Sequence, residues 1–142
     1  MSLDLNAAGA VLDAALADAR ARALKPLGVV VLGADESVRA AALEDGATGL
    51  RFDIARAKAV GALRMRRSSR ALEQFANERP GFFQSLSTLN HGMVIPAAGG
   101  VLIADGEGAL IGAIGVSGDT SDNDEACAVA ALSAHGLNVW TE

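Results

Sequence analysis

Tyrosine is absent from this 142-residue chain, cysteine occurs once, and four phenylalanines with one tryptophan make up all of its aromatic content. A core with so few rings is built from Ala, Val, Leu and Ile, with Phe52, Phe75, Phe82, Phe83 and Trp140 as its large fillers. The single Cys127 excludes an internal disulfide and a multi-cysteine metal site. Its setting among alanines predicts a buried, inert thiol. Excess positive charge is missing as well: the net charge is −5, which argues against a general nucleic-acid binder, because such proteins show phosphates a basic face. No stretch is apolar for long enough to span a bilayer. No basic segment followed by an apolar run stands at the N-terminus, so a cytoplasmic location without membrane attachment is expected. Internal repeats, low-complexity segments and linkers are lacking too, so residues 1–142 read as a single domain.

The most informative stretch that is present runs from Gly99 to Glu125. Val101 to Ile103 is a short apolar run, Asp105-Gly106 and Gly108 suit a hairpin turn, and Leu110 to Val116 is a second apolar run spaced by glycines. Two antiparallel core strands are expected. Beyond them, Asp122 with Glu125, or Ser121 with Asp124, has capping-box spacing, which predicts a helix from near Asp122 to His135, ended by Gly136.

Upstream, Ala8, Val11, Leu12, Ala15, Leu16 and Ala19 recur at helical spacing between Leu3 and Leu24. Leu27 to Leu32 and Val38 to Leu43 predict a hairpin about a Gly33–Ser37 turn. A second helix is expected from Arg51 to Met65, and a third from Arg70 to Asn77, capped by Ser68-Ser69 and closed by Pro80-Gly81. Phe82 to Asn90 reads as a turn of helix followed by loop, and Met93 to Pro96 as a short edge strand. The resulting order, α-β-β-α-α-β-β-β-α, points to an α+β fold in which helices cover an antiparallel sheet.

The segment Gly112–Gly118 (GAIGVSG) with Asp124-Glu125, together with Ala55–Ala59 (ARAKA), resembles the GlcG/HbpS family, which includes the C-terminal domain of PduO-type corrinoid adenosyltransferases. The resemblance covers nearly the whole chain. It implies a profilin-like α-β-α sandwich with a five-stranded antiparallel sheet, in a homo-oligomer. It also implies a small-molecule ligand, with haem or a related tetrapyrrole as the named cofactor.

Haem requires an axial ligand, an apolar slot and cations for its propionates. With no tyrosine, the histidines are His91, in the loop before the third strand, and His135, at the end of the last helix, where an imidazolium suits the helix dipole. His91 is therefore the candidate iron ligand. The expected pocket lies between the second helix and the sheet, with Arg51, Arg56 or Lys58 meeting carboxylates and Phe52 and Met93 supplying apolar contact. No other metal site is assigned: Asp119, Asp122 and Asp124 lack the spacing of a calcium loop. Ser117 lies in an incomplete nucleophile elbow, and the Gly115–Gly118 turn lacks a phosphate-binding lysine.

Two alternatives stand beside this reading. One is a catabolic isomerase, lyase or hydrolase acting on a small carboxylic acid, with His91, Lys58 or Glu44 as acid–base groups. The other is an oligomer-forming accessory protein whose glycines and alanines serve only close packing.

Overall fold

Leu110–Ser117 (β4) occupies the middle of a five-stranded antiparallel sheet in the computed structural model, which describes residues 2–141. Gly28–Gly33 (β1) and Gly100–Ala104 (β3) flank it, Val38–Leu43 (β2) lies beyond β1, and Asn138–Val139 (β5) lies beyond β3. All four strand pairings are antiparallel. The inner strands are buried on both faces, so they read as near-continuous apolar runs instead of alternating with polar residues.

Successive residues still point to opposite sides. Val29, Val31, Val101, Ile103, Ile114 and Val116 meet Leu5–Ala21 (α1) and Ser121–Ser133 (α5), while Val30, Leu32, Leu102 and Ala113 meet Gly49–Met65 (α2). In α1, Ala8, Val11, Ala15 and Ala19 fall on one stripe that is fully buried. Its start is set by Asp4, whose carboxylate accepts the Ala7 N–H at 2.8 Å.

The other face is closer. A Cβ at Gly100 or Gly115 would overlap the carbonyl oxygen of Lys58 or Ala55, so α2 rests on the sheet backbone to backbone. The sequence-expected pocket between this helix and the sheet has no room there.

The expected α+β class, the sheet and the main helices are present, with three local differences. Phe82 to Asn90 belongs to a full helix, Pro80–Leu89 (α4), which Pro80 opens at a position where no N–H is needed. Met93–Pro96 joins no strand: Val94 packs against Gly61, and the Ala97 N–H turns back to the Ile95 carbonyl at 3.0 Å. The fifth strand is β5, paired through Ile103↔Val139 and Ala104↔Asn138.

The aromatic residues are also distributed otherwise than expected. Phe75, Phe82 and Phe83 gather edge to face where α4 meets Ser69–Glu78 (α3), at centroid separations of 5.9 and 6.4 Å from Phe75. Phe75 and Phe83 form a satellite cluster with Leu72 and Val94, Phe82 is exposed at its edge, and Phe52 and Trp140 pack, partly buried, against the α2-side core. Among the described residues no helix is long and apolar enough to cross a membrane.

Candidate functional site

The two segments that carry the family resemblance meet at the C-terminal end of β4. Lys58 is placed there by α2, and Asp124 by the first turn of α5; they are 3% and 2% exposed. The Lys58 ammonium donates to the Val116 carbonyl at 2.9 Å and lies 3.3 Å from Asp124 Oδ2. The other oxygen, Oδ1, accepts the Asp119 N–H at 3.0 Å. Gly99 completes the cradle, since a Cβ there would stand 2.7 Å from the ammonium nitrogen. The Ser69 hydroxyl accepts the Gly100 N–H at 2.6 Å, which anchors the start of β3 beside the pair.

Burial dominates the electrostatics of this node. Desolvation holds the Lys58 ammonium below its usual pKa and the Asp124 carboxyl above its usual one, and their mutual attraction offsets part of each shift. Asp124 also sits at the positive end of α5, which favours its charge. The α5 cap itself is Thr120, whose hydroxyl accepts the Asn123 N–H at 3.2 Å, and neither capping-box pair is used. Asp122 and Glu125 instead hold Arg70, at 2.5 and 2.9 Å.

The residues expected to bind a ligand are dispersed over this scaffold. Lys58, expected to meet a ligand carboxylate, is enclosed by Asp124 and Val116. Arg51 lies close enough to depress Lys58 further, and Phe52 borders the core under α2. Arg56 is exposed on the opposite side of the helix. His91 and Met93 belong to the other end of α2, where Asn90 accepts a hydrogen bond from Arg64 at 3.2 Å. Residues 51 and 64 are 13 positions apart, so the two groups stand about 20 Å apart along the helix.

The arginine-rich stretch is divided in the same way. Arg64 pairs with Glu36 at 2.7 Å, Arg70 with the α5 carboxylates, and Arg67 stacks over Phe75 at 5.7 Å. The acid–base candidates do not converge either. Glu44 is held at the end of β2 by Arg20 and the Leu27 N–H, apart from both Lys58 and His91. Surface cavities of about 290 and 440 Å³ flank β2, lined by residues such as Gly33, Asp35 and Arg39 or Leu16, Arg20 and Leu43. Neither is lined by an expected ligand residue.

His135 follows the end of α5 and is exposed, its N–H donating to Leu132 at 3.1 Å. Cys127 is fully buried as expected; its thiol donates to the Ala15 carbonyl at 3.1 Å, and burial pushes its pKa up to about 12. Among the described residues no three His, Cys, Asp or Glu side chains gather as metal ligands do.

The fold recurs in known proteins. A family model described as "haem degrading protein HbpS-like" matches residues 3–133. The chain belongs to the HbpS-like family. A crystal structure of a PduOC–haem complex superposes with a TM-score of 0.88 at 22% identity, covering 99% of this chain and 100% of that one, and this likeness carries the fold. A double mutant of Streptomyces reticuli HbpS gives 0.81 at 25% identity, over 96% of this chain and 88% of that one. Klebsiella pneumoniae protein ORFY, of family DUF336, also gives 0.81 at 25% identity, over 91% and 87%. No curated protein sequence matches the chain at a significant level.

The two segments that carry the resemblance each contribute one residue to the Lys58–Asp124 node, and nothing in either segment signals the pairing. Both residues were visible in the motif, and only the fold brings them together across 66 positions.

Proposed function

We propose that this chain binds a small ligand, haem or a related tetrapyrrole, on the surface at the C-terminal end of α4, and does so as a homo-oligomer. One observation carries the reading. His91 is exposed on a left-handed turn with φ of 53°, and among the described residues its imidazole has no hydrogen-bond partner. Leu89, 75% exposed, precedes it by two positions, and the partly buried Met93 follows by two. A free imidazole beside apolar side chains fits the axial side of an iron porphyrin. The interface between α2 and the sheet does not fit one, because it is closed by backbone contact.

Support comes also from the family's description and from the haem held by PduOC. Haem bound here would supply the iron centre, while the chain supplies a nitrogen lone pair from His91 and an apolar rim from Leu89 and Met93. Arg51, Phe52 and Arg56 lie toward the far end of α2, outside the reach of a ligand on His91.

A haemin titration followed by absorbance tests this. The expected result is a saturable one-site Soret shift that is lost in His91→Ala and retained in His135→Ala. Equal binding by His91→Ala and the parent would sink the assignment.

A further inference from the structure

β2 is the open edge of the sheet. At the opposite edge β5 covers part of β3, whereas β2 pairs with β1 alone. Its sequence, Val-Arg-Ala-Ala-Ala-Leu, has no proline, lysine or carboxylate, and its one charge, Arg39, lies next to the strand's start. Its one irregularity is a bulge at Arg39, where the register steps from Val31↔Ala40 to Leu32↔Val38. Ala40 to Leu43 remain as a regular stretch.

The direction of the free backbone groups follows from the ladder. The Glu44 N–H donates to the Leu27 carbonyl at 2.9 Å. By antiparallel alternation Ala42 and Ala40 also bond to β1, so Ala41 and Leu43 turn their N–H and C=O groups outward. Both side chains are exposed.

From this geometry we infer that β2 of a second copy pairs antiparallel with this strand about a two-fold axis at Ala42, making one continuous sheet across both copies. The inference rests on the reading that the chain forms a homo-oligomer, and is independent of the ligand. An axis at Ala42 sets Ala41 opposite Leu43 of the second copy, so every outward group of both strands is used. An axis at Ala41 runs Leu43 into the bulge at Arg39, and one at Leu43 runs Ala41 into the turn at Asp45-Gly46.

Charge selects the same axis. It brings the bulge at Arg39 near the turn at Asp45 of the second copy, beyond the regular pairing and twice by symmetry. Both residues are exposed; Arg39 lies near Asp35 of its own chain over Gly33 and attracts that carboxylate without a salt bridge, while Asp45 has no ion pair among the described residues. Ala40 then faces Glu44 of the second copy, whose carboxylate is already neutralised by Arg20 at 2.9 Å, so no like charges meet. The interface is isologous, as a closed two-fold contact must be.

Sedimentation velocity of the full chain over a concentration series tests the inference. Ala41→Pro removes only an outward donor, because the Ala41 N–H makes no bond to β1. Ala41→Pro, Arg39→Asp and Asp45→Arg are each expected to raise the concentration needed for association by about tenfold, and the Arg39→Asp/Asp45→Arg double variant to restore it. An oligomeric parent whose mass and concentration dependence are untouched by Ala41→Pro and Arg39→Asp overturns the edge pairing and leaves the homo-oligomer standing. A parent that is monomeric throughout overturns both, and the haemin titration still decides the ligand. If far-UV circular dichroism shows Ala41→Pro unfolded, the charge swap decides: failure of the double variant to recover association overturns the pairing.

Discussion

The two faces of the sheet are covered by different kinds of contact. Against α1 and α5 the strands present Val and Ile side chains, which pack against alanines, Val11, Leu132 and Cys127. Against α2 they present glycines at the closest points, and helix carbonyls lie almost on the strand backbone. Side-chain packing can relax after a change of one methylene, whereas backbone contact leaves nothing that can give way. The second kind of face is therefore rigid and closed to ligands, and one polar cross-brace, Lys58–Asp124, ties it to the first.

Neighbouring residues of β4 give the sharpest way to break this contrast. Gly115→Val is expected to cost more than about 4 kcal/mol and to leave no folded protein, because its new side chain meets the Ala55 carbonyl. Ile114→Val, pointing to the opposite face, should cost about 1 kcal/mol in chemical denaturation.

A somewhat smaller loss tests the brace. Asp124→Ala leaves a buried ammonium without its counter-ion and should cost about 3–5 kcal/mol by the same measurement. The double variant Lys58→Met/Asp124→Leu should recover most of that loss. If it remained as unstable as the single variant, desolvation would not be the dominant cost at this node.

The smallest effect concerns the loop between β4 and α5. Asp119 is held at about 2, below 3.8, first by the Lys25 N–H and then by Asn123 and Thr120. Its folded pKa is depressed, so its contribution is complete above pH about 4 and is lost as pH falls toward about 2. The stability gap between the parent and Asp119→Asn should stay constant above pH about 4 and close below it. A gap that widened on acidification would contradict this.

Much of the fold was legible because its strands and helices differ in period. The runs 101–103 and 110–116, separated by Asp105-Gly106 and Gly108, can only be a hairpin of buried strands, and α1 has a clean 3.6-residue stripe. The failures fall where local composition carries no period. Pro80–Leu89 has no charged residue to mark a solvent face. Met-Val-Ile-Pro looks like a strand but spends its apolar side chains covering α2 and α4, and a two-residue strand such as β5 is below what any pattern can reveal.

The site was legible as residues and illegible as an arrangement. Lys58 stood out in its motif, yet what it does depends on Asp124 arriving from another layer. Arg51 and His91 group by chemical type in the sequence, and only the length of α2 shows that they lie toward different ends of that helix.

The lone thiol turns the fold into its own timer. Cys127 reacts only as a thiolate, and at neutral pH it is both protonated and covered where α5 lies on α1. Its rate of labelling by a disulfide reagent therefore counts how often those two helices part, at one defined place and without any added probe.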